Sequence, residues 1–137
     1  MVNVRFSTYL PPMASGSRFA LAAGTLLAAS GVALGAFGAH ALKATLPPEA
    51  LGWWQTAVQY QMWHAIGLLA IGAAPIAGKG GPAMTLAAGA LVFSGSLYAM
   101  ALTGALWLGT ITPIGGALMI AGWLWLGWRL ANLHNSS

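Results

Sequence analysis

The sequence predicts an all-α membrane protein, folded as an up-down bundle of four transmembrane helices. Composition is the first indication: 58% of its 137 residues are hydrophobic and only 4% are charged, whereas a soluble domain carries about 25% charged residues. Mean hydropathy is +0.76. A soluble domain of this size could not bury so much apolar surface. The second indication is a series of long uncharged runs separated by short polar connections.

The residue types that are absent exclude several classes of function. The chain has no Cys and no Asp, and Glu49 is its only acidic residue. Disulfides, thiolate chemistry, paired-carboxylate catalysis and carboxylate-bound Mg²⁺ or Ca²⁺ are therefore excluded. The net charge of +4 comes from singly scattered cations. Nucleic-acid binding requires a clustered basic footprint, so we expect no nucleic-acid partner.

The first predicted span covers residues 19–39, which include no charged residue. At 1.5 Å per residue these 21 residues extend about 31 Å, enough to cross the hydrocarbon core. Residues 1–17 are predicted to form a tail, and Pro11-Pro12 followed by Met13 favours Met13 as the native start. Ala39-His40-Ala41 has the form of a signal-peptide cleavage site, but the apolar run is longer than a signal peptide's. We therefore expect this segment to be retained in the protein as its first span.

The second predicted span, residues 56–77, needs polar residues to reach across the membrane. Its uninterrupted apolar stretch is residues 65–77, only 13 residues or about 20 Å of helix. Thr56, Tyr60 and His64, with Gln61 beside them, must therefore enter the bilayer. Lipid offers no hydrogen bonds, so this polar cluster is expected to face other helices. These four residues are the candidate ligand contacts of the chain.

The same helical wheel predicts which face of the second span contacts lipid. At 100° per residue, Val58, Met62, Ala65 and Leu69 lie opposite the polar stripe. We therefore expect those four residues to face lipid. Ser94 and Tyr98 of the third span are the expected hydrogen-bond partners of Gln61 and His64, although a serine in a helix also bonds its own i−4 carbonyl.

The remaining elements complete four spans and set the predicted topology. The third and fourth spans cover about residues 83–103 and 112–130, so the membrane domain is residues 18–133 and residues 134–137 form a C-terminal tail. Four spans place both termini on one side. Four cations lie on that side and Lys43 lies alone on the other. The positive-inside rule makes the terminal side cytoplasmic.

The first span contains a GxxxG pattern formed by Gly31 and Gly35. Paired small residues four apart let a neighbouring helix backbone approach closely. Two interpretations follow. The two glycines either pack against another helix of the same chain, which the generality of small-residue interfaces favours, or form a homodimer contact.

The three histidines are the candidates for metal or haem ligation. His40 and His134 are expected at opposite faces of the bilayer, so at most two histidines could converge, and a tetrahedral zinc site requires more ligands. His40 is also predicted near the surface while His64 is about 12 Å deep, which disfavours haem. No metal and no cofactor are expected. His64 is either a proton relay or ligand contact, or a neutral residue that holds helices together.

Two segments carry a resemblance to a known family. The strings GAFGAHALK at residues 35–43 and WQTAVQYQMWHA at residues 54–65 resemble the signature stretches of the domain-of-unknown-function 423 family of small bacterial inner-membrane proteins, and the transmembrane protein 256 group is similar. The resemblance runs from about Met13 to the end of the fourth span. It implies a four-helix protein of the bacterial cytoplasmic membrane without an established activity. The matching motif positions are Phe37, His40, Gln55, Tyr60, Gln61 and His64.

Three function classes are compatible with these observations. The leading one is a non-enzymatic protein that binds a partner, lipid or hydrophobic ligand, as an accessory subunit of a larger membrane complex. Besides the lipid bilayer, the expected partner is a larger membrane-protein complex or a second copy in a homo-oligomer. The alternative is a small transporter or channel whose polar path follows Tyr60, Gln61 and His64. The third is an enzyme acting on lipid or quinone with His64 as its base, and against it stands the near absence of catalytic residue types.

Overall fold

A computed structural model describes residues 12–133 of the chain, except for the side chain of Leu133. The start-site hypothesis at Met13 concerns mostly residues 1–11, and the C-terminal tail with His134 covers residues 134–137. Both lie outside the described residues. The described part is all α, with four long helices: α1 (Ser15–His40), α2 (Pro48–Ala73), α3 (Gly80–Thr103) and α4 (Thr112–Leu133). Short 3₁₀ turns occupy Leu42–Ala44 and Leu106–Thr110. The predicted all-α, four-helix fold class is confirmed.

The helix ends follow from local backbone chemistry. α2 begins at Pro48, where the missing N–H of proline costs no hydrogen bond, with Glu49 in the positively charged first turn. It ends at Ala73, because Ala74 precedes Pro75 and adopts an extended conformation, φ −74° and ψ 145°. The helix therefore begins eight residues before the predicted span 56–77 and ends four residues before its end.

Consecutive helices pack antiparallel in the order α1, α2, α3, α4, and α1 also touches α3. α2 and α3 are the two central helices. The main core lies between all four helices and is made of alanine, leucine and isoleucine with one methionine: Ala20, Leu27, Ala65, Leu68, Ile71, Ala83, Leu86, Ala87, Ala90, Met119 and Leu126. The many alanines allow close helix packing, which is how helices associate in lipid.

Three of the long helical segments are long and apolar enough to cross a membrane by length and composition: Ser15–Ala44, Gly80–Thr103 and Leu106–Asn132. α2 has 26 residues but is absent from that group, in line with the short apolar run that its sequence shows. Since α2 lies between α1 and α3, it crosses with them only if its polar side chains find partners within the bundle.

The face of α2 that was predicted to contact lipid packs against α1 instead. Ala65 has no exposed surface. A Cβ built on Gly24 would lie 2.9 Å from the Leu69 side chain, and one on Gly35 would lie 3.3 Å from Val58. The wheel prediction was wrong because small residues on α1 admit these branched side chains, and packing outweighs the polarity of the stripe. The exposed face of α2 carries Gln55, Gln59, Trp63, Ile66 and Ala70.

The α3–α4 contact depends on glycine at position 115. A Cβ there would lie 2.7 Å from the Phe93 Cα and 2.8 Å from the Gly89 carbonyl oxygen. These are backbone atoms, so the helices would have to separate. We expect Gly115→Ala to lower the free energy of unfolding by about 1–3 kcal/mol, measured by denaturant unfolding in detergent micelles.

Gly127 provides the matched control in the same helix, because a Cβ there meets nothing within 4 Å. Gly127→Ala should leave stability unchanged or raise it by up to about 1 kcal/mol, since alanine is the better helix former. Equal destabilisation by both substitutions would contradict the described α3–α4 packing.

Candidate functional site

Gln61 lies at the centre of a hydrogen-bond network that joins three helices. Its side chain is 4% exposed. Its Nε2 donates to the Leu27 carbonyl oxygen of α1 at 2.9 Å and to the Ser30 hydroxyl at 2.8 Å. The Tyr98 hydroxyl of α3 donates to the Gln61 Oε1 at 2.8 Å. Both amide protons and one oxygen lone pair are therefore used.

His64 joins α2 to α4. The indole Nε1–H of Trp123 donates to the His64 Nε2 at 3.1 Å, and the His64 Nδ1 lies 2.8 Å from the Tyr60 carbonyl oxygen. An indole N–H only donates and a carbonyl oxygen only accepts. These partners together select the neutral tautomer with its proton on Nδ1. Both ring nitrogens are then engaged in hydrogen bonds.

Two further hydrogen bonds join α2 to its neighbours α1 and α3. The Ser94 hydroxyl of α3 donates to the Ala57 carbonyl oxygen at 2.8 Å. The Trp54 indole Nε1 donates to the Leu34 carbonyl oxygen of α1 at 2.9 Å. Ser94 was expected to bond Gln61 or His64. It bonds the α2 backbone one turn earlier, while Tyr98 bonds Gln61 itself.

Tyr60 and Thr56 differ from Gln61 and His64 in their surroundings. Both are only partly buried. The Tyr60 ring packs on Phe93 of α3 and on Trp63, with centroids 4.5 Å and 5.1 Å apart. The four predicted site residues thus occupy separate environments. Gln61 and His64 are internal, whereas Thr56 lines a groove on the surface.

The glycine pair of α1 faces α2 in the structure. A Cβ on Gly31 would lie 2.5 Å from the Met62 sulfur, and Gly35 faces Val58. The other motif positions cluster at the same end of the bundle. Phe37 packs its ring 6.0 Å from that of Trp54, while His40 and Gln55 are exposed. In the described part of the chain, no three His, Cys, Asp or Glu residues converge on a metal-sized site.

A groove of about 530 Å³ runs between α1 and α2 on the outside of the bundle. Glycine, alanine and polar side chains form most of its lining: Gly35, Gly38, Ala39, Gly52, Trp54, Gln55, Thr56, Val58 and Gln59. We call it the glutamine groove. Gln59 is the twelfth of the 26 residues of α2, about 17 Å from its first residue, and so lies near the middle of the helix.

Comparison with known proteins identifies the family. A family model described as "Protein of unknown function (DUF423)" matches residues 34–116. This chain belongs to the DUF423 family. The segment matched includes every motif position on which the resemblance rested, from Phe37 to His64, and that resemblance is confirmed.

Relatives in several bacteria are membrane proteins by name. The UPF0382 membrane protein of Staphylococcus haemolyticus is 46% identical over 108 residues, covering 75% of this chain and 87% of its own. YwdK of Bacillus subtilis is 42% identical, covering 74% and 86%. The inner membrane protein YgdD of Escherichia coli is 38% identical, covering 78% and 85%. No solved structure matches. The DUF423 chain is an integral membrane protein embedded in lipid.

The Gln61 network yields a stability prediction. Gln61→Leu leaves the Tyr98 hydroxyl without its acceptor and should lower the free energy of unfolding by about 1–3 kcal/mol. Tyr98→Phe removes a single bond and should cost about 0.5–1.5 kcal/mol. Because the two groups share one bond, the double variant should lose less than the sum.

Gln59→Leu is the matched control, an identical change on the exposed face two residues away. We expect it to leave the unfolding free energy of the isolated chain unchanged or raised. The measurement is denaturant unfolding in micelles. Strict additivity of the Gln61 and Tyr98 changes, or equal losses at positions 59 and 61, would contradict the network.

Proposed function

We propose that this protein is a non-enzymatic accessory subunit that docks one transmembrane helix of a partner protein in the glutamine groove. The observation that supports the proposal is the exposed side chain of Gln59. No hydrogen bond joins it to any described residue, although it lies at mid-helix depth. An amide in hydrocarbon without a partner is unfavourable, so a partner that hydrogen-bonds it gains affinity.

The shape of the groove supports a helix as the occupant. Gly35 and Gly52 line it together with Ala39, and small residues let a second backbone approach closely enough for van der Waals packing and hydrogen bonding. Gly52 has nothing within 4 Å of the position of a Cβ. The groove therefore has unoccupied room beside the glutamines.

The transport and enzyme hypotheses receive less support from the same geometry. A polar path along α2 would need groups free to pass a proton or solute. The Gln61 amide and the His64 Nε2 are already used between helices, and the His64 Nδ1 is engaged by the Tyr60 carbonyl oxygen within α2. Before His64 could act as a base at its Nε2, the hydrogen bond that this atom accepts from Trp123 would have to break.

Photo-crosslinking at position 59 tests the proposal. With benzoylphenylalanine replacing Gln59 in native membranes, we expect one discrete protein adduct of defined mass. The same residue at Leu124, which is 69% exposed on α4, should give no protein adduct. Protein adducts of equal yield at both positions, or none at 59, would contradict the proposal.

A second variant blocks the groove without disturbing the fold. Gly52→Leu fills open space and should abolish the adduct formed at position 59, while Gly127→Leu, equally unhindered, should leave it intact. An adduct of twice the chain mass would identify a second copy as the occupant and so reject the accessory role.

A further inference from the structure

The starts of α1 and α3 and the end of α4 meet at one end of the bundle. A Cβ on Gly16 would lie 2.9 Å from the Gly80 Cα, so the first turns of α1 and α3 are in contact. Trp125 of α4 packs on Gly81. A cavity of about 380 Å³ lies here, lined by residues 14–16 and 76–81. We call it the basic-end cavity.

Lys79 lines this cavity and is only 6% exposed. Its ammonium donates to the Gly72 carbonyl oxygen at 2.9 Å and to that of Ala74 at 2.5 Å. It therefore caps the negative end of the α2 dipole. No acidic side chain balances its charge, because Glu49 is the chain's single acid and begins α2 at the opposite end.

Arg129 is not among the residues that line the basic-end cavity, but it packs against Gly78, which is, and adds a second cation with an unused donor. Its guanidinium occupies the space where a Cβ of Gly78 would stand, and Gly78 has a φ of +66° that also favours glycine. The Arg129 Nε is buried and has no hydrogen-bond partner among the described residues. A buried donor without an acceptor is unfavourable. It indicates an acceptor that the described residues do not supply.

We propose that the basic-end cavity binds the phosphate of an anionic phospholipid headgroup. The guanidinium fork matches phosphate oxygens, and the N-termini of α1 and α3 bring two positive dipole ends to the same place. Arg18, exposed on α1, increases the positive potential. The residues at this site therefore favour an anionic ligand over a cationic or neutral one.

The position of the cavity indicates a lipid source. Trp125 and Trp128 of α4 lie at the same end and are exposed, as expected for aromatic side chains at headgroup level. Basic pockets between helix ends recognise anionic headgroups in this way. This site is separate from the glutamine groove and shares no residue with it.

Native mass spectrometry of the full chain in micelles tests the proposal. With equimolar phosphatidylglycerol and phosphatidylcholine of identical acyl chains, we expect phosphatidylglycerol to be retained preferentially. Arg129→Gln should reduce that preference about tenfold, because a charge-assisted bond is removed. Lys43→Gln, which changes net charge equally at the other end, should not reduce it.

A further variant and a competition with inorganic phosphate distinguish the alternative explanations. Arg129→Lys keeps the charge but loses the fork, so it should give an intermediate preference and keeps the test informative if Arg129→Gln fails to fold. Equal retention of the two lipids by the wild-type chain, or equal loss in Lys43→Gln, would overturn the proposal. If inorganic phosphate displaces the lipid and alone raises the thermal midpoint, the ligand is free phosphate and the lipid assignment fails.

Discussion

The inability of hydrocarbon to form hydrogen bonds is the constraint on which this structure depends. Every polar group of α2 below the headgroups must find its partner in the protein or remain unsatisfied. Gln61 and His64 of α2 meet this constraint through a backbone carbonyl and a hydroxyl of α1, a tyrosine of α3 and a tryptophan of α4. The position of α2 between α1 and α3 is therefore a consequence of its composition, because its inward polar side chains need partners on the neighbouring helices.

The polar side chains of α2 divide into two groups by direction. Gln61 and His64 point inward, and their hydrogen bonds with three neighbouring helices fix the bundle. Gln55 and Gln59 point outward along the glutamine groove. The inward group joins the helices to one another. The outward group is unexplained by the described residues, and this asymmetry is the reason for proposing a partner interaction.

Much of the fold could be predicted from the sequence, because apolar runs and helix-ending prolines are local signals. The need of Gln61 for interhelical partners followed from the short run of residues 65–77, and Tyr98 was found as its partner. The direction of the Val58–Met62 face could not be predicted, because it depends on how closely the glycines of α1 approach. The hydrogen bond from the Trp123 indole N–H to the His64 Nε2 joins residues that are 59 positions apart in the sequence. No local sequence pattern indicates it. The outward position of the Gln59 side chain could not be predicted for the same reason.

Spin-label accessibility on α2 tests most directly whether this helix crosses the membrane inside the bundle. Ile66 is 60% exposed on the outer face of α2, and a nitroxide there should report high oxygen and low nickel-chelate accessibility, as within the hydrocarbon core. A label at exposed Glu49, in the first turn, should show the reverse. High nickel-chelate accessibility at position 66 would place α2 in water and contradict the account.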